Sequence, residues 1–148
     1  MTDRIEKLIE LNAPIERVWR ALTDHIEFGQ WFRVKLDGPF APGRLARGHI
    51  TYPGYEHVQW QATVREMRAP HLFSFTWHPY AVDPAVDYSQ EPTTLVEFRL
   101  AALARGTRLT IVESGFESLP PHRRPDALRM NDSGWTKQAD NIREHVGR

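Results

Sequence analysis

Cysteine is absent from the 148-residue sequence, which excludes a disulfide framework, a thiolate nucleophile and a cysteine-based metal site. Net charge is absent too, because nineteen basic and nineteen acidic side chains cancel. A neutral chain lacks the basic footprint of a nucleic-acid binder. No apolar run approaches the roughly 20 residues needed to cross a bilayer. The N-terminal stretch MTDRIEKLIEL lacks the basic start and apolar run of a secretion signal. A cytoplasmic protein without nucleic-acid or membrane partners is expected, folded as one domain over residues 1–148.

Chemical motifs are also scarce. The histidines are His25, His49, His57, His71, His78, His122 and His145. None forms a His-x-x-x-His pair, so they read as surface residues and no metal is expected. Ser114-Gly115 and Ser133-Gly134 lack the Gly-x-Ser-x-Gly frame of a serine nucleophile. Glycine-rich phosphate loops are missing, and no cofactor is expected.

Aromatic residues are plentiful: five Trp, seven Phe and four Tyr. Such residues fill cores, and they also line ligand pockets. Along the chain, Arg4–Leu11 reads as a strand with Ile5, Lys7, Ile9 and Leu11 on one face. Asn12-Ala13-Pro14 starts a helix whose Ile15, Val18, Trp19 and Leu22 recur at helical spacing. Thr23-Asp24 interrupts it, and His25–Trp31 forms a second short helix. Strands follow at Val34–Leu36, Leu45–Thr51, around Val58–Arg65, and at Leu72–Trp77, Leu95–Leu100 and Thr107–Ser114. Pro79–Pro92 shows no periodicity and reads as a long loop or flap. Leu128, Trp135, Ile142 and Val146 mark a C-terminal helix. Gly134 inside it costs about 1 kcal/mol relative to Ala, and close packing of that helix on a sheet is the expected reason. An antiparallel sheet with one apolar face is covered economically by one long helix.

These segments carry a resemblance. APIERVWRALTD, then WF, PG, FTW, GTRLTIVESGF and finally GW resemble, in order, the activator of heat-shock protein 90 ATPase homologue family, of the START/Bet v 1-like superfamily. The resemblance runs from about Arg4 to Val146. It implies an α+β helix-grip fold, β-α-α-β6-α, with a curved antiparallel sheet wrapped around a long C-terminal helix. After the GW motif, Gln138 and Ala139 stand where larger apolar residues are usual in the family. That departure either enlarges a cavity or weakens the helix packing.

Three functional readings follow. The first is binding of a hydrophobic or aromatic small molecule between sheet and C-terminal helix. Trp31, Trp60, Phe75, Trp77, Phe98, Ile111 and Trp135 would line that cavity, with Tyr80, Asp83 and Tyr88 at its mouth. The second is a cyclase-like or hydrolase-like enzyme. Glu113 continues the inward Leu109–Ile111 face, and a buried carboxylate must be paired or protonated. It is the candidate catalytic group, with an internal ion pair to Lys7 as the structural alternative. The third, implied by the family name, is a chaperone partner.

Overall fold

The computed structural model describes residues 4–83 and 85–147. Its elements run β1 (Ile5–Leu11), α1 (Ile15–Thr23), α2 (His25–Phe32), β2 (Val34–Leu36), β3 (Leu45–Ile50), β4 (Gln59–Arg68), β5 (Leu72–Trp77), β6 (Thr94–Ala102), β7 (Thr107–Ser114) and α3 (Arg124–Val146). The seven strands form one sheet in the order β1-β7-β6-β5-β4-β3-β2, antiparallel throughout. Sequence neighbours pair from β2 to β7, while β1 joins the far edge beside β7. The α1–α2 pair therefore carries the chain from one edge of the sheet to the other. This is the α+β helix-grip fold.

Local chemistry sets the helix boundaries. Pro14 caps α1, and its carbonyl accepts from the Arg17 and Val18 N–H groups. Ile15, Val18, Ala21 and Leu22 form the buried stripe of α1. Asp24 both ends α1 and starts α2. Its N–H donates to Arg20 O, and its carboxylate accepts from the Glu27 N–H at 3.0 Å. The chain leaves α2 through Arg33 at φ 69°, a left-handed exit common at helix ends. Gly29 is obligatory there, because a Cβ at this position would overlap the Val34 carbonyl oxygen.

The core lies on the concave face of the sheet. Phe73, Phe75, Phe98, Leu109 and Ile111 from the strands meet Phe28 and Trp31 from α2 and Trp135 and Ile142 from α3. Rings interlock mostly edge to face: Trp31 on Phe98 at 6.5 Å and Phe98 on Trp135 at 5.7 Å. The close packing expected at Gly134 is not found, since a Cβ there would meet nothing within 4 Å. The internal Lys7–Glu113 pair is not formed either. Lys7 Nζ lies 3.0 Å from Asp132 Oδ1 on α3. Lys7 sits opposite Ile111 in the register, whereas Glu113 sits opposite Ile5.

Candidate functional site

Glu113 ends the inward face of β7 and is fully buried. Four side chains converge on its carboxylate. Trp77 Nε1 donates to Oε2 at 2.7 Å, Thr94 Oγ1 to Oε2 at 2.6 Å and Trp135 Nε1 to Oε1 at 2.8 Å. Asn131 Nδ2 donates to both oxygens, at 2.9 and 3.1 Å. The two indoles and the amide nitrogen are donors only, so the shell suits an acceptor-only carboxylate. Strands β5, β6 and β7 and helix α3 are thereby tied at one point. Trp77 and Trp135 stack with centroids 5.8 Å apart at 30°. The carboxylate is closed to solvent and forms a structural anchor between sheet and helix.

Just outside the anchor lies a half-open cleft of about 560 Å³. Phe32, Trp60 and Trp77 supply its ring walls, Asn131 an amide, His78 and Asp87 ionisable groups, and Tyr80, Ala81, Val82 and Tyr88 its roof, while Gln59 and Gln61 border it on either side of Trp60. A smaller cleft of about 90 Å³ adjoins it, sharing Phe32, Trp77 and Asn131 and adding Gly134, Trp135 and Gln138. Gln138 donates to Phe32 O at 3.1 Å, so its polar group closes onto α2 while Ala139 packs inward.

The roof is fastened by Arg123, just before α3. Its guanidinium donates to Glu91 Oε1 at 2.9 Å, Tyr80 O at 3.0 Å and Pro79 O at 2.9 Å, and lies 4.6 Å above the Tyr88 ring. Tyr80 holds φ at 51°, sparsely populated for a side chain of this size.

Of the residues singled out in the sequence, Trp60, Trp77, Tyr80 and Tyr88 line the larger cleft and Trp135 the smaller. Trp31, Phe75, Phe98 and Ile111 line neither, because they are buried in the core between the sheet and helices α2 and α3. Asp83 is outside the lining as well; its carboxylate caps the backbone N–H of Ala85 at 3.0 Å. Sequence reasoning passed over Asn131, although it precedes Trp135 by one helical turn and so shares its face. Nothing local marks Thr94, or Gln59 and Gln61, which alternate outward from Trp60. Among the described residues, no three His, Asp or Glu side chains gather to hold a metal ion. No helix among them is long and apolar enough to cross a membrane.

Comparison with solved structures supports the fold. Protein MLL2253 from Mesorhizobium loti aligns with TM-score 0.76 at 23% identity, covering 97% of this chain and 96% of that one. Protein CV1439 from Chromobacterium violaceum gives 0.76 at 21% identity, covering 100% and 99%. DynU16, from the dynemicin biosynthetic locus, gives 0.74 at 20% identity over 99% of this chain, which spans only 48% of DynU16. A search of curated proteins gives no match. The family model described as Activator of Hsp90 ATPase homolog 1-like protein matches residues 12–147. With the helix-grip sheet and the GW-bearing helix in place, the chain belongs to the family of activator of Hsp90 ATPase homolog 1-like proteins.

Proposed function

We propose that the protein binds a small apolar or aromatic molecule in the cleft between Phe32, Trp60 and Trp77 and the roof of Tyr80, Ala81, Val82 and Tyr88. The observation that carries this reading is the cleft itself: about 560 Å³, within the roughly 300–1,000 Å³ usual for ligand pockets. Its lining is chiefly apolar and rich in rings, and its polar members include His78, Asp87, Ser89 and Asn131. Burying apolar surface there contributes about 25 cal/mol per Å². Catalysis by Glu113 finds less support, since its oxygens are engaged by four neighbours and closed to the cleft.

Native mass spectrometry of the purified protein, followed by thermal shift with a panel of aromatic compounds, tests the reading. A melting temperature that climbs with ligand concentration is the expected result. A flat panel with no co-purified mass overturns it.

A further inference from the structure

Asn131 occupies the boundary between the buried anchor and both clefts. Its Nδ2 is committed to the two oxygens of Glu113. A flipped amide would set Oδ1 against those same oxygens, acceptor against acceptor, so the orientation is fixed by the network. Among the described residues no hydrogen bond reaches Asn131 Oδ1. The amide therefore offers the clefts an acceptor and keeps its donor inside.

The rest of the larger cleft narrows the ligand further. Its lining holds no Lys or Arg, and Asp87 stands among its residues. Among the described lining residues, His78, beside Asp87, is the one side chain able to carry positive charge, so an anionic ligand finds no permanent counter-charge and meets a carboxylate.

We propose that Asn131 Oδ1, oriented by Glu113, accepts a hydrogen bond from a hydroxyl group of a neutral aromatic ligand. This rests on the small-molecule reading above. In it Glu113 is a positioning residue, fixing which end of the amide the ligand meets, and Asn131 is the group that distinguishes phenol-like ligands from their ethers.

The test is isothermal titration with 2-naphthol and 2-methoxynaphthalene, which share a ring system while only the first donates a hydrogen bond. One neutral hydrogen bond corresponds to roughly three- to tenfold in affinity, and the wild type is expected to favour 2-naphthol by that factor. The preference should vanish in Asn131→Leu. It should vanish too in Asn131→Ser, which keeps a donor near Glu113 but withdraws the amide oxygen. Glu113→Gln relaxes the constraint on the amide, so its ratio should also fall and 2-acetylnaphthalene, an acceptor only, should gain relative to 2-naphthol. Each ratio is taken within one variant, so general weakening cancels, and circular dichroism verifies the fold. If Glu113→Gln does not fold, the two Asn131 variants decide.

Equal affinities in the wild type overturn the inference and leave the binding reading standing, as does a preference that survives in both Asn131 variants. Failure of all three probes to bind the folded wild type overturns the inference together with the aromatic-ligand reading.

Discussion

At the scale of single residues, Glu113 gathers four side-chain donors onto one buried carboxylate. Truncating it leaves two indole N–H groups, an amide and a hydroxyl facing an empty site, and each buried orphan costs about 1–3 kcal/mol. Glu113→Ala is expected to lose roughly 3–5 kcal/mol, the sum of these orphaned donors after partial relaxation, read from urea denaturation. Glu113→Gln keeps the volume but turns a donor toward donors, and a smaller loss of about 1–3 kcal/mol is expected. Equal stability of Glu113→Ala and wild type would contradict the anchor. The inward placement of this side chain was legible from the alternation Leu109, Ile111, Glu113. Its partners were not, because Trp77 and Thr94 lie 36 and 19 residues away. Strand parity identifies a face and says nothing about reach. For the same reason Lys7 was correctly placed on the inner face of β1 yet assigned the wrong carboxylate: a residue of α3, Asp132, comes within its length first.

At the scale of elements, the two helical glycines behave oppositely. A Cβ at Gly29 would overlap the Val34 carbonyl oxygen, whereas one at Gly134 would meet nothing within 4 Å. Gly134→Ala should therefore stabilise α3 by about 1 kcal/mol, the difference in helix propensity. Gly29→Ala should destabilise the protein despite the same gain in propensity, because backbone must shift to admit it. Paired thermal melts check both signs, and a destabilised Gly134→Ala would restore the close packing that its position suggested. The sequence located the seven strands and the three α-helices because alternation and the 3.6-residue repeat are local properties, while the 3-10 turn at Phe116–Ser118 fell where it read as a connector. Which glycine is crowded depends on what folds back against it. Val34 crowds Gly29 across the tight exit from α2, while the larger Phe32 and Trp77 side chains hold an opening beside Gly134.

At the scale of the whole molecule, two charged nodes fasten the helices and the roof. Glu27 on α2 joins all three helices, with Arg17 of α1 at 2.6 Å and His145 of α3 at 2.9 Å, and Arg20 at 2.8 Å. Burial works to raise the Glu27 carboxyl, but hydrogen bonds from His145, Arg17 and Arg20 outweigh it and hold the group below its ordinary 4.5. A carboxyl depressed in the folded state contributes stability above its unfolded value and loses it as pH falls through the lowered folded value. The wild-type advantage over Glu27→Gln should thus be complete above about pH 5 and shrink as the pH drops below 4.5, measured as urea midpoints across that range. The second node, Arg123, governs access to the cleft. Its bonds to Pro79, Tyr80 and Glu91, with its place over Tyr88, gather both ends of the roof at the start of α3. Both members of the Arg123–Glu91 pair are largely withdrawn from water, with side chains 11% and 16% exposed, so screening weakens the pair less than a surface bridge. Arg123→Ala should free the roof while leaving the sheet intact. Cleavage by chymotrypsin at Tyr80 and Tyr88 should then accelerate by about tenfold, the factor for roughly 1.4 kcal/mol of lost closure when opening is fast relative to cleavage. Arg129→Ala, which removes an exposed i,i+3 pair with Asp126, serves as the control and should leave the cleavage rate unchanged. Ligands that need the roof should bind Arg123→Ala more weakly and dissociate faster, since Tyr80, Ala81, Val82 and Tyr88 supply one wall of the cleft. Unaltered proteolysis in Arg123→Ala would point to His78, whose Nε2 lies 3.0 Å from Glu91 O, and the latch would then lie just past β5 and not at the start of α3.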